Sequence, residues 1–217
     1  MNISRAELVD IPGIVTCHME AFPNSFTTLL GRRYLIKNYE WYFSSKDTFI
    51  IVARNQSHEI LGYAGCLLVD KNSKYGSSSS MMQFTYREAI RALLMRPWLL
   101  LHPQILQNYK LLWKNLKIKL GLMKFTIKET SSIAVPFVSS LGLVVIGTTL
   151  IARGIGVGTA LLRAFEEEAR LMGVAKMHLS VRQRNQSAIT AYKKNGWVIE
   201  KEHGKNYNMY RNLDYNR

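Results

Sequence analysis

Apolar residues alternate with polar residues, or run together, over several short stretches of the chain, which is the pattern of strands. Thr48–Arg54 and Ile60–Val69 are two such stretches, and the polar turn between them predicts a hairpin. The near-continuous apolar run Leu141–Thr149 predicts a central strand that is buried on both faces. Four more predicted strands are residues 1–7, Lys176–Arg182, Trp197–Lys201 and Tyr207–Arg211.

Elsewhere apolar residues recur every three or four positions, which is the period of an amphipathic helix. Asp10 is expected to cap a helix that starts near Ile11, with Pro12 in its first turn. Further helices are predicted over Phe26–Phe43, Phe84–Met95, Gly156–Met172 and Gln186–Lys194. This succession of strands and helices predicts an α/β (α+β) fold in which helices flank a central sheet.

The segment between the hairpin and the central strand has a different composition. KNSKYGSSSS, residues 71–80, predicts a flexible linker. In Gln104–Leu120 the apolar side chains share one face and lysines share the other, which predicts an amphipathic helix with a basic stripe. Paired with Phe84–Met95, this helix would form a hairpin, and residues 84–128 hold nine basic residues and one acid.

The composition is that of an ordinary globular protein. The 217 residues are expected to form one domain, 1–217, with the helical hairpin as an insertion at about 72–130. Cys17 and Cys66 lie far apart and the histidines show no ligand spacing, so neither a disulfide nor a metal site is expected. Neither a signal peptide nor a membrane-spanning run is visible, which favours the cytoplasm. The net charge of +14 favours nucleic acid, anionic lipid or a phosphorylated small molecule as a partner.

The stretch ARGIGVGTALL, residues 152–162, places glycines between the predicted central strand and a predicted helix. Successive backbone N–H groups in such a turn, together with the positive N-terminal end of the helix, bind a phosphate or pyrophosphate. A Walker loop is excluded because no lysine follows Gly158. The dinucleotide fingerprint also fails, because Thr159 stands where its third glycine belongs and Ser180–Gln183 lacks its acid.

The remaining form, [QR]-x-x-G-x-[GA], is matched by Arg153, Gly156 and Gly158, and here the chain resembles the GNAT N-acetyltransferase superfamily. NQSAITAYKKNGW, from Asn185 to Trp197, resembles a second motif of that superfamily. The resemblance covers roughly 1–70 and 139–212 and leaves out the insertion. It implies the GNAT fold, with a mixed sheet of about six to seven strands, and acetyl-CoA as cosubstrate without a metal.

The resemblance also implies roles for particular residues. The N–H groups of the glycine turn, with Arg153, would hold the pyrophosphate of acetyl-CoA; they belong to Gly154, Ile155, Gly156, Val157, Gly158 and Thr159. Backbone N–H groups around Ile146, Gly147 and Thr148 would polarise the thioester carbonyl. Asn185 would bind the pantetheine arm or the turn, or else cap a helix. Tyr192 would protonate the leaving thiolate, or else be an aromatic residue of the core.

A general base is missing from this set, since residues 142–149 contain no acid, whereas many members of the superfamily have a glutamate there. Glu20, His18 or a water relay are the alternatives. The acceptor is open as well. FPNSFTTLLGRRYL, residues 22–35, resembles acetyltransferases of surface-polysaccharide biosynthesis, which favours an amino sugar on a nucleotide or lipid carrier. A protein N-terminus, a lysine, a polyamine and an aminoglycoside are the other acceptors.

Three interpretations of the insertion stay open: a solvated hairpin, a lid over a phosphorylated acceptor, or a peripheral contact with the anionic inner face of a membrane. An inactive GNAT-like module that binds a membrane or nucleic acid is the alternative to an enzyme. Nucleic acid is disfavoured, because the aromatic residues lie on the apolar face of the predicted helix, away from the lysines. A homodimer is a further hypothesis.

Overall fold

The computed structural model describes residues 1–70, 78–103, 105–106 and 139–213. Seven strands form one sheet in the order β1-β2-β3-β4-β5-β7-β6. They are β1 (Asn2–Arg5), β2 (Thr48–Arg54), β3 (Ile60–Val69), β4 (Ser140–Thr148), β5 (Lys176–Arg182), β6 (Val198–His203) and β7 (Asn206–Asn212). Only β4 and β5 pair in parallel, so the sheet is mixed, as predicted.

Helices cover both faces of the sheet. They are α1 (Ile11–Ala21), α2 (Phe26–Leu29), α3 (Arg32–Glu40), α4 (Ser78–Met95), α5 (Val157–Leu171) and α6 (Gln186–Lys194). One face packs against α5 and α6 around Phe165, Met177 and Met209. The other face packs against α1 and α3 around Ile14, Tyr39 and Tyr63. The strand order and the two helical layers confirm the predicted fold class.

Two predicted boundaries are wrong, and one predicted helix cap is not formed although its helix starts at Ile11 as expected. The helix expected over Phe26–Phe43 is interrupted at Gly31, whose positive φ of 97° breaks the helical hydrogen-bond ladder between α2 and α3. The expected linker 71–80 overlaps α4, which already begins at Ser78. Asp10 does not cap α1 with its side chain; its carboxylate instead accepts from the Glu7 N–H and pairs with Arg54 at 2.6 Å.

The central strand is also less buried than its apolar sequence predicts. β4 lies fourth of seven in the sheet, as expected. However, the register between β3 and β4 shifts so that Gly65 faces Val145 while Cys66 faces Leu143. Val144 is the extra residue of this β-bulge, and it is 47% exposed. The predicted helix Gln104–Leu120 lies outside the described residues, apart from residues 105–106.

Candidate active site

The parallel strands β4 and β5 separate part of the way along their length. Their pairing runs from Ser140 opposite Lys176 to Leu143 opposite Leu179 and extends no further within the described residues. β4 continues for five more residues to Thr148, and β5 continues to Arg182. The bulge at Val144 directly follows the last pair. A gap therefore opens between the two central strands towards their carboxyl ends.

The backbone of β4 presents hydrogen-bond donors to this gap. The Thr149 N–H donates to the Leu61 carbonyl on the β3 side at 2.9 Å. Because alternate residues of an antiparallel strand bond to the same neighbour, the Gly147 N–H also points to β3. The N–H groups of Ile146 and Thr148 then point into the gap. Of the three N–H groups expected to polarise a carbonyl, those of Ile146 and Thr148 point into the gap, whereas the Gly147 N–H points to β3.

The glycine turn follows β4 through a short 3-10 helix, Leu150–Ala152. Gly154 and Gly156 have positive φ angles of 80° and 88°, and Gly156 immediately precedes α5. A Cβ atom at Gly154, Gly156 or Gly158 would meet nothing within 4 Å. The outer side of the turn is therefore open, and these glycines are not explained by close packing of the helix on the sheet.

The turn also carries unused donors. No N–H group from Gly154 to Thr159 donates a well-formed hydrogen bond to the described part of the chain, and no side chain caps α5. The positive end of the helix dipole adds to these donors. Arg153 and Ile155 are exposed, whereas Val157, the first residue of α5, is buried in the core and anchors the turn. An anion of the size of a pyrophosphate fits the chemistry of this turn.

Tyr192 lies on α6, which connects β5 to β6. These two strands run in the same direction on either side of β7, so α6 runs back along the sheet. Because a helix rises 1.5 Å per residue, Tyr192 lies about 10 Å along α6 from the edge of the sheet where the glycine turn lies. The side chain is 8% exposed and its ring lies 6.1 Å from that of Trp197. Burial raises the pKa of Tyr192 to about 12, so the phenol keeps its proton at neutral pH. Tyr192 is thus both an aromatic residue of the core and a protonated hydroxyl.

Asn185 ends the loop after β5. Because β4 and β5 are parallel, this loop and the glycine turn lie at the same edge of the sheet. The Asn185 side-chain oxygen accepts from the Ala188 N–H at 3.3 Å and caps α6. The capping alternative is therefore realised, and the NH₂ group of the amide is the part of Asn185 that remains to meet a ligand.

The two side chains considered as the base from the sequence differ in their surroundings: His18 is enclosed, whereas Glu20 is exposed near the end of β4. His18 is 6% exposed, and its Nδ1 lies 2.6 Å from the Tyr39 hydroxyl and 2.7 Å from the Tyr63 hydroxyl. Its Nε2 lies 3.2 Å from Thr27 Oγ1, and burial lowers the pKa of His18 to about 4. Glu20 is exposed and accepts from the Leu150 N–H at 3.4 Å, beyond the end of β4. His18 therefore has a structural role within its tyrosine cluster.

A residue that the sequence reasoning missed lies at the closed end of the gap. His178 on β5 is opposite Gly142 on β4. In KMHLSVR, residues 176–182, apolar and polar side chains alternate, and Met177, Leu179 and Val181 are buried beneath α5 and α6. This alternation indicates that His178 points to the opposite face of the sheet. The sequence could not show that its neighbour across the strands would be a glycine.

Two shallow cavities lie elsewhere. One, of about 300 Å³, lies between α5 and α6 beside Arg211, and the other, of about 330 Å³, lies between β1 and α5 beside Arg5. Neither is lined by Ile146, Thr148 or Tyr192. Within the described ranges, no three His, Cys, Asp or Glu side chains cluster as metal ligands, and no helix has the length and hydrophobicity to span a bilayer.

Comparisons with known proteins agree with this geometry. Residues 149–197 match the model of the acetyltransferase (GNAT) family, a segment that runs from the glycine turn to Trp197. No curated protein sequence matches the chain.

Solved structures match over nearly the whole chain. PaiA N-acetyltransferase from Thermoplasma acidophilum, in complex with coenzyme A, is 11% identical, with a TM-score of 0.56 over 98% of this chain and 100% of that chain. A ribosomal-protein-alanine N-acetyltransferase from Brucella melitensis is 15% identical, with a TM-score of 0.55 over 98% and 100%. A GNAT-family acetyltransferase from Streptococcus pneumoniae is 17% identical, with a TM-score of 0.53 over 98% and 99%. The chain has the GNAT fold, and the family match supports its assignment to that superfamily.

Proposed function

We propose that this chain, with its GNAT fold and GNAT-like segment 149–197, is an acetyl-CoA-dependent N-acetyltransferase that acetylates a primary amine. The observation that carries the proposal is the row of unused N–H groups from Gly154 to Thr159 at the start of α5, next to a gap between β4 and β5. The family match over the same segment and a structural neighbour that binds coenzyme A support acetyl-CoA as the cosubstrate. We assign this activity to a single domain, residues 1–217, with an insertion at about 72–130.

In this mechanism the turn binds the pyrophosphate and the pantetheine arm lies in the gap. The N–H groups of Ile146 and Thr148 would donate hydrogen bonds to the thioester carbonyl oxygen and stabilise the negative charge of the tetrahedral intermediate, a contribution of about 3 kcal/mol per donor in comparable sites. The amine attacks the carbonyl carbon and forms the C–N bond, and the C–S bond breaks when the tetrahedral intermediate collapses and expels the thiolate. Tyr192 would donate its proton to the departing thiolate, which its raised pKa allows at neutral pH.

For the acceptor, we propose an amino sugar on a nucleotide or lipid carrier. The likeness of residues 22–35 to polysaccharide-associated acetyltransferases supports this choice, and the net charge of +14 favours a phosphorylated acceptor over a polyamine. A screen of amines for thiol release from acetyl-CoA tests both the acetyltransferase activity and the choice of acceptor. Release with amino sugars linked to a nucleotide or a lipid carrier is expected; release only with peptides or polyamines would overturn the choice of acceptor.

We also propose that the protein works in the cytoplasm at the inner face of an anionic membrane. Along the outer side of α4 and the 3-10 helix Pro97–Leu101, exposed arginines alternate with exposed apolar side chains. These residues, here called the α4 stripe, are Arg87, Ile90, Arg91, Leu94, Trp98 and Leu101. Leu94, Trp98 and Leu101 are 77%, 65% and 73% exposed. A surface with these two features favours binding at the headgroup boundary of anionic lipid.

A further inference from the structure

The two halves of the sheet differ in what covers the face that lies opposite α5 and α6. On this face α1 packs against β3 and β4, and α3 packs beside α1. Within the described ranges, the buried cluster beneath α1 and α3 contains no residue of β5, β6 or β7. The half of the sheet formed by these three strands is therefore open on this side, as far as the structure describes the chain.

Strand pairing brings six polar side chains together on this open face. On β5, the residues that alternate with Ser180 and Arg182 are buried beneath α5 and α6, so these two side chains point the other way. Residues that lie directly opposite on paired strands share a face. The six residues, here called the polar shelf, form two rows across the strands: Arg182, Asn206 and His203 in the first row, and Ser180, Asn208 and Lys201 in the second.

The polar shelf carries positive charge that no neighbouring carboxylate neutralises. Arg182 and Lys201 are exposed, and neither forms an ion pair with another residue of the described chain. Two acids of β6 lie close to the shelf in sequence. Glu200 pairs with Lys176 at 2.6 Å, and Glu202 lies opposite Tyr207, which packs on the side of α5 and α6. The two cations of the shelf are therefore available to an anionic ligand.

The polar shelf borders the gap at the height of the thioester donors. Leu143 and Leu179 form the last pair of β4 and β5. Ile146 on β4 and Arg182 on β5 each lie three residues beyond this pair, so they face each other across the gap, to within the one residue that the β-bulge adds to β4. The glycine turn leads into α5, on the other side of the sheet. The shelf therefore lies beside the Ile146 N–H, on the side that the coenzyme leaves free.

The composition and size of the shelf fit a diphosphate ester. Guanidinium and ammonium groups form the strongest hydrogen bonds to phosphate oxygens, and amide and hydroxyl side chains bind the hydroxyl groups of a sugar or ribose. The two rows lie about 7 Å apart along the strands, and the three strands together span about 10 Å. Both rows are polar throughout, which suits a nucleoside beyond the diphosphate and gives a lipid tail no apolar surface.

We propose that the polar shelf binds the diphosphate that joins an amino-sugar acceptor to its nucleotide carrier, an assignment that rests on the proposed function. Arg182 binds the phosphate next to the sugar, and Lys201 binds the second phosphate. Asn206 and Asn208 bind hydroxyl groups of the nucleoside. The sugar then extends from the first row towards Ile146, which brings its amine to the thioester. The shelf thus selects a nucleotide-linked acceptor over a free amino sugar.

A binding test uses Arg182→Gln, Lys201→Gln and the double variant, in which glutamine keeps a polar side chain and removes the charge. Lys193→Gln is the matched control, since it removes an exposed lysine from α6 on the other side of the sheet. Calorimetry measures the binding of UDP, GDP and dTDP to each protein saturated with coenzyme A, so that the coenzyme site is filled. The wild type should bind at least one of them. Each single variant should bind it about 10- to 100-fold more weakly, and the control within about twofold of wild type.

Turnover gives a second readout that a merely structural role of these residues would not produce. With the nucleotide-linked amino sugar that releases the most thiol, KM of Arg182→Gln and Lys201→Gln should rise by the same factor as the loss of binding, while kcat changes little. KM for glucosamine, which has no phosphate, should stay at the value of the wild type. A rise in KM for both acceptors alike would overturn the assignment.

Other sources of phosphate give different results, each of which would overturn the proposal. Weaker binding of coenzyme A, but not of dephospho-coenzyme A, by Arg182→Gln would assign the shelf to the 3′-phosphate of the coenzyme. Weaker sedimentation of the double variant with anionic vesicles, with nucleotide binding unchanged, would assign it to lipid headgroups. Equal binding of the nucleoside diphosphates to the wild type and the double variant, or no binding to either, would remove the shelf as a phosphate site.

Failure of the shelf and failure of the proposed function are distinguishable. In each of the preceding cases, thiol release from acetyl-CoA with some amine leaves the acetyltransferase intact. A wild-type protein that releases no thiol with any amine of the screen would overturn the proposed function, and the assignment of the shelf to its acceptor with it.

Discussion

Alanine substitutions in the glycine turn should separate the effect of backbone strain on stability from the effect on coenzyme binding. Gly156 has φ 88° and ψ 0°, a left-handed conformation that costs alanine about 1–2 kcal/mol. Gly158 is the second residue of α5, where alanine is favoured over glycine by up to about 1 kcal/mol. A methyl group at either position meets nothing within 4 Å. We therefore expect Gly156→Ala to lower the melting temperature by about 2–8 °C, and Gly158→Ala to leave it unchanged or raise it.

Coenzyme binding should nonetheless weaken in both variants, because each methyl group projects from the turn whose N–H groups meet the pyrophosphate. At 100 times its Kd, acetyl-CoA stabilises the wild type by about 2.7 kcal/mol, or about 5–11 °C. A hundredfold loss of affinity leaves about 0.4 kcal/mol, or about 1–2 °C. Gly173→Ala is the matched control, since Gly173 has φ 66°, lies in open space and follows the far end of α5.

Thermal unfolding of the four proteins, with and without acetyl-CoA, measures both effects. Gly173→Ala should lose stability as Gly156→Ala does but keep the full response to the coenzyme. A response to acetyl-CoA as strong as that of the wild type, in the stable Gly158→Ala variant as well as in Gly156→Ala, would contradict coenzyme binding at this turn. In that case the unused N–H groups do not bind the coenzyme.

Three further predictions concern the proton donor, a buried histidine and the α4 stripe. Tyr192→Phe should lower kcat by about 10²-fold or more with coenzyme affinity unchanged; wild-type turnover would remove Tyr192 from the mechanism. The pKa of His18, about 4 in the folded protein against about 6.5 unfolded, means that the unfolded chain gains a proton first as the pH falls. The free energy of unfolding should therefore drop by up to about 3 kcal/mol between pH 7 and pH 4 because of His18, and urea titrations should show a shallower dependence in His18→Asn; equal slopes would contradict this. Vesicles with anionic lipid, but not purely zwitterionic ones, should sediment the protein, and Leu94→Ser with Trp98→Ser should abolish this; no sedimentation of the wild type would end the membrane proposal.

Hydrophobic periodicity was a sufficient guide to several strands because it reflects which faces of a strand are buried. The bounds of β2, β3, β5 and α6 agree with those read from the sequence. Two of the predictions that failed depend on the backbone conformation or the contacts of a single residue. Gly31 interrupts an apolar pattern that looks continuous, and Asp10 forms an ion pair with Arg54, 44 residues away, in place of a helix cap.

The mixed α/β fold and the glycine turn before α5 could both be predicted from the sequence alone, because strand, glycines and helix follow one another directly along the chain. Only the tertiary structure decided which N–H groups of β4 face the gap, since their direction depends on the pairing with β3. The tertiary structure also decided which histidine is free. His18 and His178 look alike in the sequence, but one is enclosed by Tyr39, Tyr63 and Thr27, whereas the other lies over a glycine of the adjacent strand. Contacts between residues distant in the sequence form only on folding, and no local pattern encodes them.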